Sequence, residues 1–283
     1  MLKRIKRLLG TKRKSLPIAV PHVTKEVESL LPTGELARIA ALPRRKQDKT
    51  QLFDQPMHFP DGYWFIHSLN ELFAEEVYRF EPSAPDPLIV DCGANIGLSI
   101  IYFKRLSPAA RIIAFEPDEE IFGTLKKNLA PFRFSGIELH QKAVWNATTQ
   151  LRFFSEGTLG GRVVDGKKSS DQKIIKVEAT RLRDLLNQAV EFLKLDIEGA
   201  EYEVLKDCAD VLGNVKNLFI EYHSNAKQDQ KLDEILRVAS NAGFRYYIKE
   251  ASVNIRYPFT EFKKNGFDLQ LNIFCYRPQP TKS

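Results

Sequence analysis

The sequence is poor in cysteine and has no N-terminal apolar segment of the length that export or membrane insertion needs. Its three cysteines, Cys92, Cys208 and Cys275, are widely spaced and form no C-x-x-C pair that would hold zinc or a redox disulfide. Residues 1–16 contain no apolar core long enough for a signal peptide or a membrane span. We therefore expect a cytoplasmic protein.

Outside the N-terminus, the chain has no excess of positive charge. The net charge at pH 7 is +6, but residues 1–14 carry seven lysines and arginines and no acid, which leaves about −1 for the remainder. Because a nearly neutral body offers no extended phosphate-binding surface, we expect no nucleic-acid partner. Within the basic segment, Leu2, Ile5, Leu8 and Leu9 recur at helical spacing. This pattern is typical of a helix on an anionic membrane surface, here the inner face of the cytoplasmic membrane, and a solvated basic tail fits it equally.

One glycine turn lacks the middle glycine of a dinucleotide fingerprint. A short apolar run, as in a strand buried on both faces, ends in Asp91, and Gly93 and Gly97 then bracket a turn before a helix. The fingerprint G-x-G-x-x-G needs its middle glycine to admit a pyrophosphate, whereas Ala94 and Asn95 stand between these two glycines. A nicotinamide oxidoreductase is therefore disfavoured. The turn would still direct backbone N–H groups into the crevice where doubly wound folds bind nucleotide-like ligands.

The acids beside this turn indicate a ligand without a phosphate. Asp91 suits an ammonium group, held directly or through water. A second apolar run ends in Glu116, which is placed to bind both hydroxyls of a ribose, and Pro117 then begins a helix. S-adenosylmethionine carries an amine, a ribose and an adenine and needs no phosphate cradle. We predict that Gly93→Val abolishes its binding and leaves the fold near native, because the added side chain fills the backbone's approach to the ligand.

Five motifs in this order resemble the FkbM-type family of S-adenosylmethionine-dependent methyltransferases. They are DCGANIG at 91–97, FEP at 115–117, KAVWN at 142–146, LKLDIEGAEYEVL at 193–205 and EYH at 221–223. The resemblance implies an α/β class I methyltransferase fold. This is a Rossmann-like, doubly wound, mostly parallel sheet of order 3-2-1-4-5-7-6 with an antiparallel C-terminal strand. It also implies that Ala143 and Val144 lie beside the adenine, and that the substrate is usually a hydroxyl of a sugar, a glycan or a natural product.

The composition divides the chain into three parts. Residues 1–56 are predicted to be a basic tail and a proline-containing linker with one short helix near residues 35–42, and residues 57–86 form an aromatic cap segment. Residues 87–283 are the methyltransferase domain. The cap segment is predicted to hold a strand at residues 63–66 and a helix from residue 69. It would either line the cofactor or acceptor pocket or serve as N-terminal core packing.

Three residues near the ends of the fourth and fifth parallel strands are candidates for catalysis. Asp196 ends the fourth strand, beside the strand that carries Asp91, and Glu221 and His223 follow the fifth. Methyl transfer from a sulfonium is an in-line displacement, so the protein supplies alignment and accepts the hydroxyl proton. His223 is our predicted base, with Asp196 and Glu221 as alternative bases, as orienters of His223, or as ligands of a divalent cation. The spacing matches no recognisable metal motif, so we assign no metal site.

The acceptor is the least determined feature. After the fourth strand the chain has DIEGAE, not the Asn/Asp-Pro-Pro-aromatic turn typical of methyltransferases that act on base amino groups. We therefore expect O-methylation of a small-molecule or glycan acceptor. Methylation of another small or macromolecular acceptor, or a non-catalytic adenosyl-binding protein, is left open, and the oligomeric state is not predicted.

Overall fold

The computed structural model describes residues 25–155, 161–163, 174–251, 255, 257–262 and 266–278. Their strands are β1 (Asp48–Leu52), β2 (Gln55–Phe59), β3 (Leu88–Cys92), β4 (Arg111–Phe115), β5 (Ile137–His140), β6 (Ala143–Trp145), β7 (Thr149–Ser155), β8 (Gly161–Val163), β9 (Ile174–Arg181), β10 (Val190–Leu195), β11 (Val215–Asn225), β12 (Arg245–Glu250) and β13 (Phe267–Tyr276). Their α-helices are α1 (Lys25–Ser29), α2 (Glu35–Ala40), α3 (Gly62–Leu69), α4 (Leu98–Leu106), α5 (Glu119–Leu129), α6 (Glu201–Cys208) and α7 (Leu232–Asn241).

Seven strands form the main sheet, in the order β5-β4-β3-β10-β11-β13-β12. The strands β3, β4, β5, β10 and β11 are parallel, and β13 runs antiparallel to both β11 and β12. Counted within this sheet alone, the order is 3-2-1-4-5-7-6 with an antiparallel C-terminal strand. The predicted fold class is therefore confirmed.

The central strands are buried on both faces because their side chains alternate between two apolar layers. Ile89 and Phe192 belong to the layer that includes α4 and the cap segment, whereas Val90 and Leu193 belong to the layer that includes α6 and α7. This period of two is what a strand covered on both sides requires. The register pairs β3 and β11 with β10 on either side, so their carboxyl ends reach the same edge of the sheet.

A second sheet, of order β6-β9-β7-β8, was not predicted. Although only two residues separate β5 from β6, the two strands belong to different sheets, because β6 leaves the main sheet and pairs in parallel with β9, with Ala143 opposite Ala179. The predicted adenine neighbours Ala143 and Val144 thus belong to the smaller sheet.

The linker predicted for residues 17–56 is wrong where the structure describes it. The predicted short helix is present as α2, but α1 and the hairpin β1–β2 are also folded. Val27, Ile39 and Leu52 are fully buried and join the apolar layer of the cap segment. Burial against the rest of the domain stabilises these short elements, which have little intrinsic tendency to form alone.

The aromatic stretch at residues 63–66 is helical, so the predicted strand there is wrong. Asp61 caps the start of α3, where its carboxylate accepts hydrogen bonds from the backbone N–H groups of Tyr63 and Trp64 at 3.0 and 3.3 Å. Phe65 and Leu69, one turn apart, are buried on the inner face of the helix. The cap and this 3.6-residue spacing outweigh the strand preference of aromatic residues.

Among the described helices, none combines the length and the apolar character that crossing a membrane needs. The predicted membrane-surface helix at residues 1–14 lies outside the described residues.

Candidate active site

A cavity of about 300 Å³ lies at the edge of the main sheet where β3 and β10 end. We call its charged side the sheet wall, formed by residues 93–96, Lys194, Asp196, Glu198, Glu221 and His223. The opposite side is the cap wall, formed by residues 59–61, Trp64, Phe65, His67, Ser68, Glu71, Leu72 and Tyr78. The structure thus brings the glycine turn and all three predicted catalytic residues into one cavity.

The turn between β3 and α4 is held by the neighbouring strands. The backbone N–H groups of Gly93 and Ala94 both donate to the carbonyl oxygen of Phe115, at 3.0 and 2.8 Å. Gly93 has a φ of 91°, and a Cβ atom added there would overlap the carbonyl oxygen of Asp196. Because glycine is required by this backbone approach, Gly93→Val would disturb the fold itself. Our prediction of a near-native Gly93→Val protein is therefore wrong.

A buried lysine organises the acids of the sheet wall. Lys194 is 2% exposed, and its Nζ atom lies 3.1 Å from Asp196 Oδ2 and 3.4 Å from Asp91 Oδ1 and donates to the carbonyl oxygen of Gly93 at 2.6 Å. Burial alone would lower the pKa of Lys194, but the nearby acids, Asp196 foremost, hold it well above its ordinary value. The sequence analysis missed this residue. Its signal was a lysine inside an otherwise apolar run of a buried strand.

Asp91 keeps one oxygen available. Its Oδ2 atom accepts from Ser99 Oγ at 2.6 Å, whereas the buried Oδ1 atom makes no hydrogen bond within the described part of the chain. An unsatisfied buried carboxylate oxygen beside the glycine turn fits the predicted contact with an ammonium group of a ligand. In this structure the nearest ammonium is that of Lys194.

Glu116 links the glycine turn to the next helix. Its carboxylate accepts from the backbone N–H of Asn95 at 3.1 Å and from that of Asp118 at 2.9 Å. Burial raises the pKa of Glu116 to about 7. Pro117 precedes the N-cap residue Asp118, so α5 begins two residues later than predicted. Neither Glu116 nor Pro117 lines the cavity, and ribose binding there stays a prediction.

Ala143 and Val144 are placed apart from these residues. Both are buried in β6, at 5% and 4% exposure, and neither lines the cavity. Their place beside an adenine stays a prediction.

His223 is enclosed by carboxylates. Its Nδ1 atom lies 3.1 Å from Glu201 Oε1, and its Nε2 atom lies 3.4 Å from Glu221 Oε1 and 3.7 Å from Glu198 Oε2. Burial alone would lower the pKa of the imidazole, but the carboxylates, Glu198 and Glu201 foremost, raise it well above its ordinary value. An imidazole that holds its proton at neutral pH is not ready to accept another. The simple assignment of His223 as a free base is thus disfavoured.

Glu201 is a second residue that the sequence analysis left without a role. Its buried carboxylate accepts from the backbone N–H groups of Ile197 and Gly199, at 3.2 and 3.0 Å, as well as facing His223. It therefore fixes both the loop after β10 and the orientation of the imidazole. Its place at the first turn of α6 also gives it a favourable interaction with the positive helix end.

Glu221 and His223 lie within β11, whereas the sequence had indicated a place after the end of this strand. Their two-residue spacing puts both side chains on one face of the strand. The parallel pairing with β10 stops at Ile220, and pairing with β13 continues past both residues. One ligand atom from each of Asp196, Glu221 and His223 lies within 4.8 Å of the others.

Burial raises the pKa of the Glu198 carboxyl group to about 8. Burial, together with the negative charge of Asp196, also raises the pKa of Glu221.

The cap wall is mainly aromatic. Trp64 and His67 line the cavity, with ring centroids 5.5 Å apart, while Phe65 also belongs to the buried core. His67 Nδ1 lies 3.2 Å from Glu71 Oε2. Burial alone would lower the pKa of His67, but Glu71 raises it above the ordinary value. The cap segment therefore packs against the sheet and also lines the cavity. The two roles predicted as alternatives, core packing and lining of a pocket, are both present.

Comparison with known proteins identifies relatives. A family model described as "Methyltransferase FkbM domain" matches residues 91–246. "Methyltransferase 1" of Beauveria bassiana (strain ARSEF 2860) is 31% identical over 169 residues, which cover 52% of this chain and 67% of that protein. "2-O-methyltransferase NoeI" of Sinorhizobium fredii (strain NBRC 101917 / NGR234) is 27% identical over 169 residues, covering 53% and 67%. The chain thus spans about two thirds of the length of these two curated relatives.

Among solved structures, the crystal structure of Methyltransferase FkbM from Methylobacillus flagellatus KT is similar, with 18% sequence identity and a TM-score of 0.44. That similarity covers 75% of this chain and 54% of the other.

Proposed function

Because the chain belongs to the FkbM methyltransferase family, we propose that it transfers a methyl group from S-adenosylmethionine to a hydroxyl group of a sugar, a glycan or a secondary metabolite. The observation that carries this proposal is the single cavity in which the glycine turn meets Asp196, Glu221 and His223. The similarity to NoeI, which is named a 2-O-methyltransferase, supports transfer to an oxygen atom.

The residues around the glycine turn fit S-adenosylmethionine. The Oδ1 atom of Asp91 makes no hydrogen bond among the described residues and lies 3.4 Å from Lys194 Nζ, so it keeps lone pairs for the amino group, and the backbone of residues 93–96 forms one side of the cavity. Glu116 supports that turn through Asn95 and keeps lone pairs for hydroxyl groups. When bound, the cofactor supplies a methyl group already activated on a sulfonium. The chain's own task is therefore to align an acceptor and to receive its proton.

The acceptor would lie between the two walls. Trp64 presents an aromatic surface of the kind that packs on the apolar face of a sugar or a polyketide ring. The hydroxyl would then face the cluster of Asp196, Glu221 and His223. As the oxygen–carbon bond forms and the carbon–sulfur bond of the methyl donor breaks, the hydroxyl proton passes to this cluster, where Glu221 Oε1 and His223 Nε2 lie 3.4 Å apart.

Calorimetry and a methyl-transfer assay test the proposal. We expect S-adenosylmethionine to bind and NAD not to bind. Glu116→Ala should weaken binding of S-adenosylmethionine by roughly 1–3 kcal/mol, because it removes charged hydrogen-bond acceptors near the turn. With glycan and polyol acceptors, mass spectrometry should show a product heavier by one methylene. Binding of NAD in place of S-adenosylmethionine would overturn the proposal, and cofactor binding without any methylated product would favour a non-catalytic adenosyl-binding protein.

A further inference from the structure

We propose that Asp196, Glu221 and His223 bind one divalent cation of the Mg²⁺/Mn²⁺ class, with an acceptor hydroxyl as a further ligand. This inference rests on the proposed function, because it concerns the place where the acceptor hydroxyl must lie. The three side chains offer two carboxylate oxygens and one imidazole nitrogen within 4.8 Å of one another. Carboxylates suit Mg²⁺ and Mn²⁺, and an imidazole ligand is compatible with Mn²⁺. Because a ring nitrogen binds a metal only without its proton, the cation would take the place of the proton on Nε2, which is released on binding.

The imidazole is oriented as a ligand. Its Nδ1 atom faces the buried carboxylate of Glu201 at 3.1 Å, so that Nε2 is directed toward Glu221 and the cavity. A metal-binding histidine commonly donates its other ring N–H to a carboxylate in this manner. The side chain is 1% exposed, yet Nε2 lies 3.4 and 3.7 Å from the nearest carboxylate oxygens. Both carboxylates are ion-pair partners of Nε2 at separations longer than an ordinary N–H···O hydrogen bond, and a cation held between Nε2 and Glu221 would replace the shorter of these two contacts.

The ligands come from rigid positions. The backbone N–H of Asp196 donates to the carbonyl oxygen of Cys92 at 3.1 Å, which fixes the residue at the end of β10 against β3. Glu221 pairs with Asn272 and His223 with Gln270 in the ladder between β11 and β13. A site built on strands holds its geometry better than one built on loops.

The charge of the sheet wall favours a cation. Lys194 is engaged by Asp91, Asp196 and the carbonyl oxygen of Gly93, and it makes no described ion pair with Glu221. Among the described residues, the ion pair of Glu221 is the one with the imidazole of His223. A divalent cation between Asp196, Glu221 and Nε2 would offset the negative charge of the two carboxylates. An octahedral ion with three protein ligands keeps three positions for water or acceptor oxygens, and it lowers the pKa of a bound hydroxyl.

Binding of Mn²⁺ alone, without cofactor or acceptor, tests the site directly. The full chain is freed of metal with EDTA and titrated with Mn²⁺, while electron paramagnetic resonance counts the free ion. We expect one saturable site per chain. Glu221→Gln, which keeps the shape of the side chain, should weaken Mn²⁺ binding at least ~10-fold, and Glu201→Gln should weaken it roughly 10–100-fold through the loss of its support for His223. Asp233→Asn, which removes an exposed carboxylate of α7 that does not line the cavity, should leave Mn²⁺ affinity unchanged.

The outcomes separate this inference from the proposed function. Absence of saturable binding to the parent chain, or equal affinity in the parent and in Glu221→Gln, overturns the metal site. If Glu221→Gln does not fold, as judged by far-UV circular dichroism, Asp196→Asn takes its place with the same expected loss. Calorimetry of S-adenosylmethionine in EDTA is run in parallel. Cofactor binding and methyl transfer that persist in EDTA overturn the cation and leave the proposed function standing, whereas Mn²⁺ binding without cofactor binding contradicts the proposed function alone.

Discussion

The two walls of the cavity differ in chemistry and in how they are held. The sheet wall carries buried charged groups whose positions are set by backbone pairing, as Lys194 opposite Asp91 shows. The cap wall carries mainly aromatic groups on α3, a helix that packs on the sheet through Phe65 and Leu69. A change in the sheet wall therefore disturbs the fold or the chemistry. A change on the cavity face of α3 should affect which acceptor fits, because the buried inner face and the Asp61 cap hold the helix in place.

The largest effect should come from Gly93→Val in the sheet wall. The added side chain would overlap the carbonyl oxygen of Asp196 and must adopt a positive φ, so we expect a loss of more than about 4 kcal/mol in the free energy of unfolding. Urea unfolding followed by circular dichroism measures this loss. Gly123→Ala in α5 is the matched control, because a Cβ there meets no atom within 4 Å and helix propensity favours alanine. A soluble Gly93→Val protein of parent stability would contradict the close approach of β3 and β10.

The next effect concerns turnover. His223→Ala should lower the rate of methyl transfer by roughly 10²–10⁴, whether the imidazole moves a proton or holds a cation, and should leave S-adenosylmethionine affinity intact. Single-turnover kinetics and calorimetry on the same preparation give both quantities. If the variant keeps its full rate and the parent's pH profile, the hydroxyl proton leaves by another route. The candidates are then Asp196 and Glu221, the alternative bases that lie beside His223.

The sheet wall was more predictable from sequence than the cap wall. Apolar runs that end in an acid located β3, β4 and, despite Lys194, β10, and the rule that parallel strands share an edge placed Asp91 near Asp196. The role of Lys194 was missed because it depends on which carbonyl and carboxylate groups the neighbouring strands present. The same applies to Glu201, whose partners come from the loop after β10 and from β11.

The cap wall was misjudged because local signals compete there. An aromatic run has strand preference, and its helix is recognised only when Asp61 is taken as the N-cap. The small sheet and the β1–β2 hairpin were missed for a related reason. Their buried and exposed positions alternate, but the buried ones include Thr50 and Ala179, so the apolar pattern in the sequence is weak, and the strands are stabilised by contacts that are distant in the sequence.

A smaller effect should appear in the pH dependence of stability. Burial raises the pKa of Glu116 from 4.5 to about 7 in the folded chain, so the folded state keeps a proton that the unfolded state releases as the pH rises. The free energy of unfolding should therefore fall between pH 4.5 and pH 7, by on the order of 1–3 kcal/mol from this residue. Glu116→Gln should flatten that slope in urea titrations of the cofactor-free chain. A slope equal to that of the parent would mean that Glu116 does not hold its proton.

The smallest effect should come from the cap wall and should be confined to the acceptor. Trp64 lines the cavity but lies on the half-exposed side of α3, so Trp64→Ala removes aromatic surface without opening the core. We expect KM for the acceptor to rise about 10-fold, which corresponds to about 1.4 kcal/mol, with little change in cofactor affinity or in the urea midpoint. Trp64→Phe keeps a ring at the same place and should recover most of the loss. A Trp64→Ala enzyme with unchanged acceptor KM and reduced cofactor affinity would reverse the roles that we assign to the two walls.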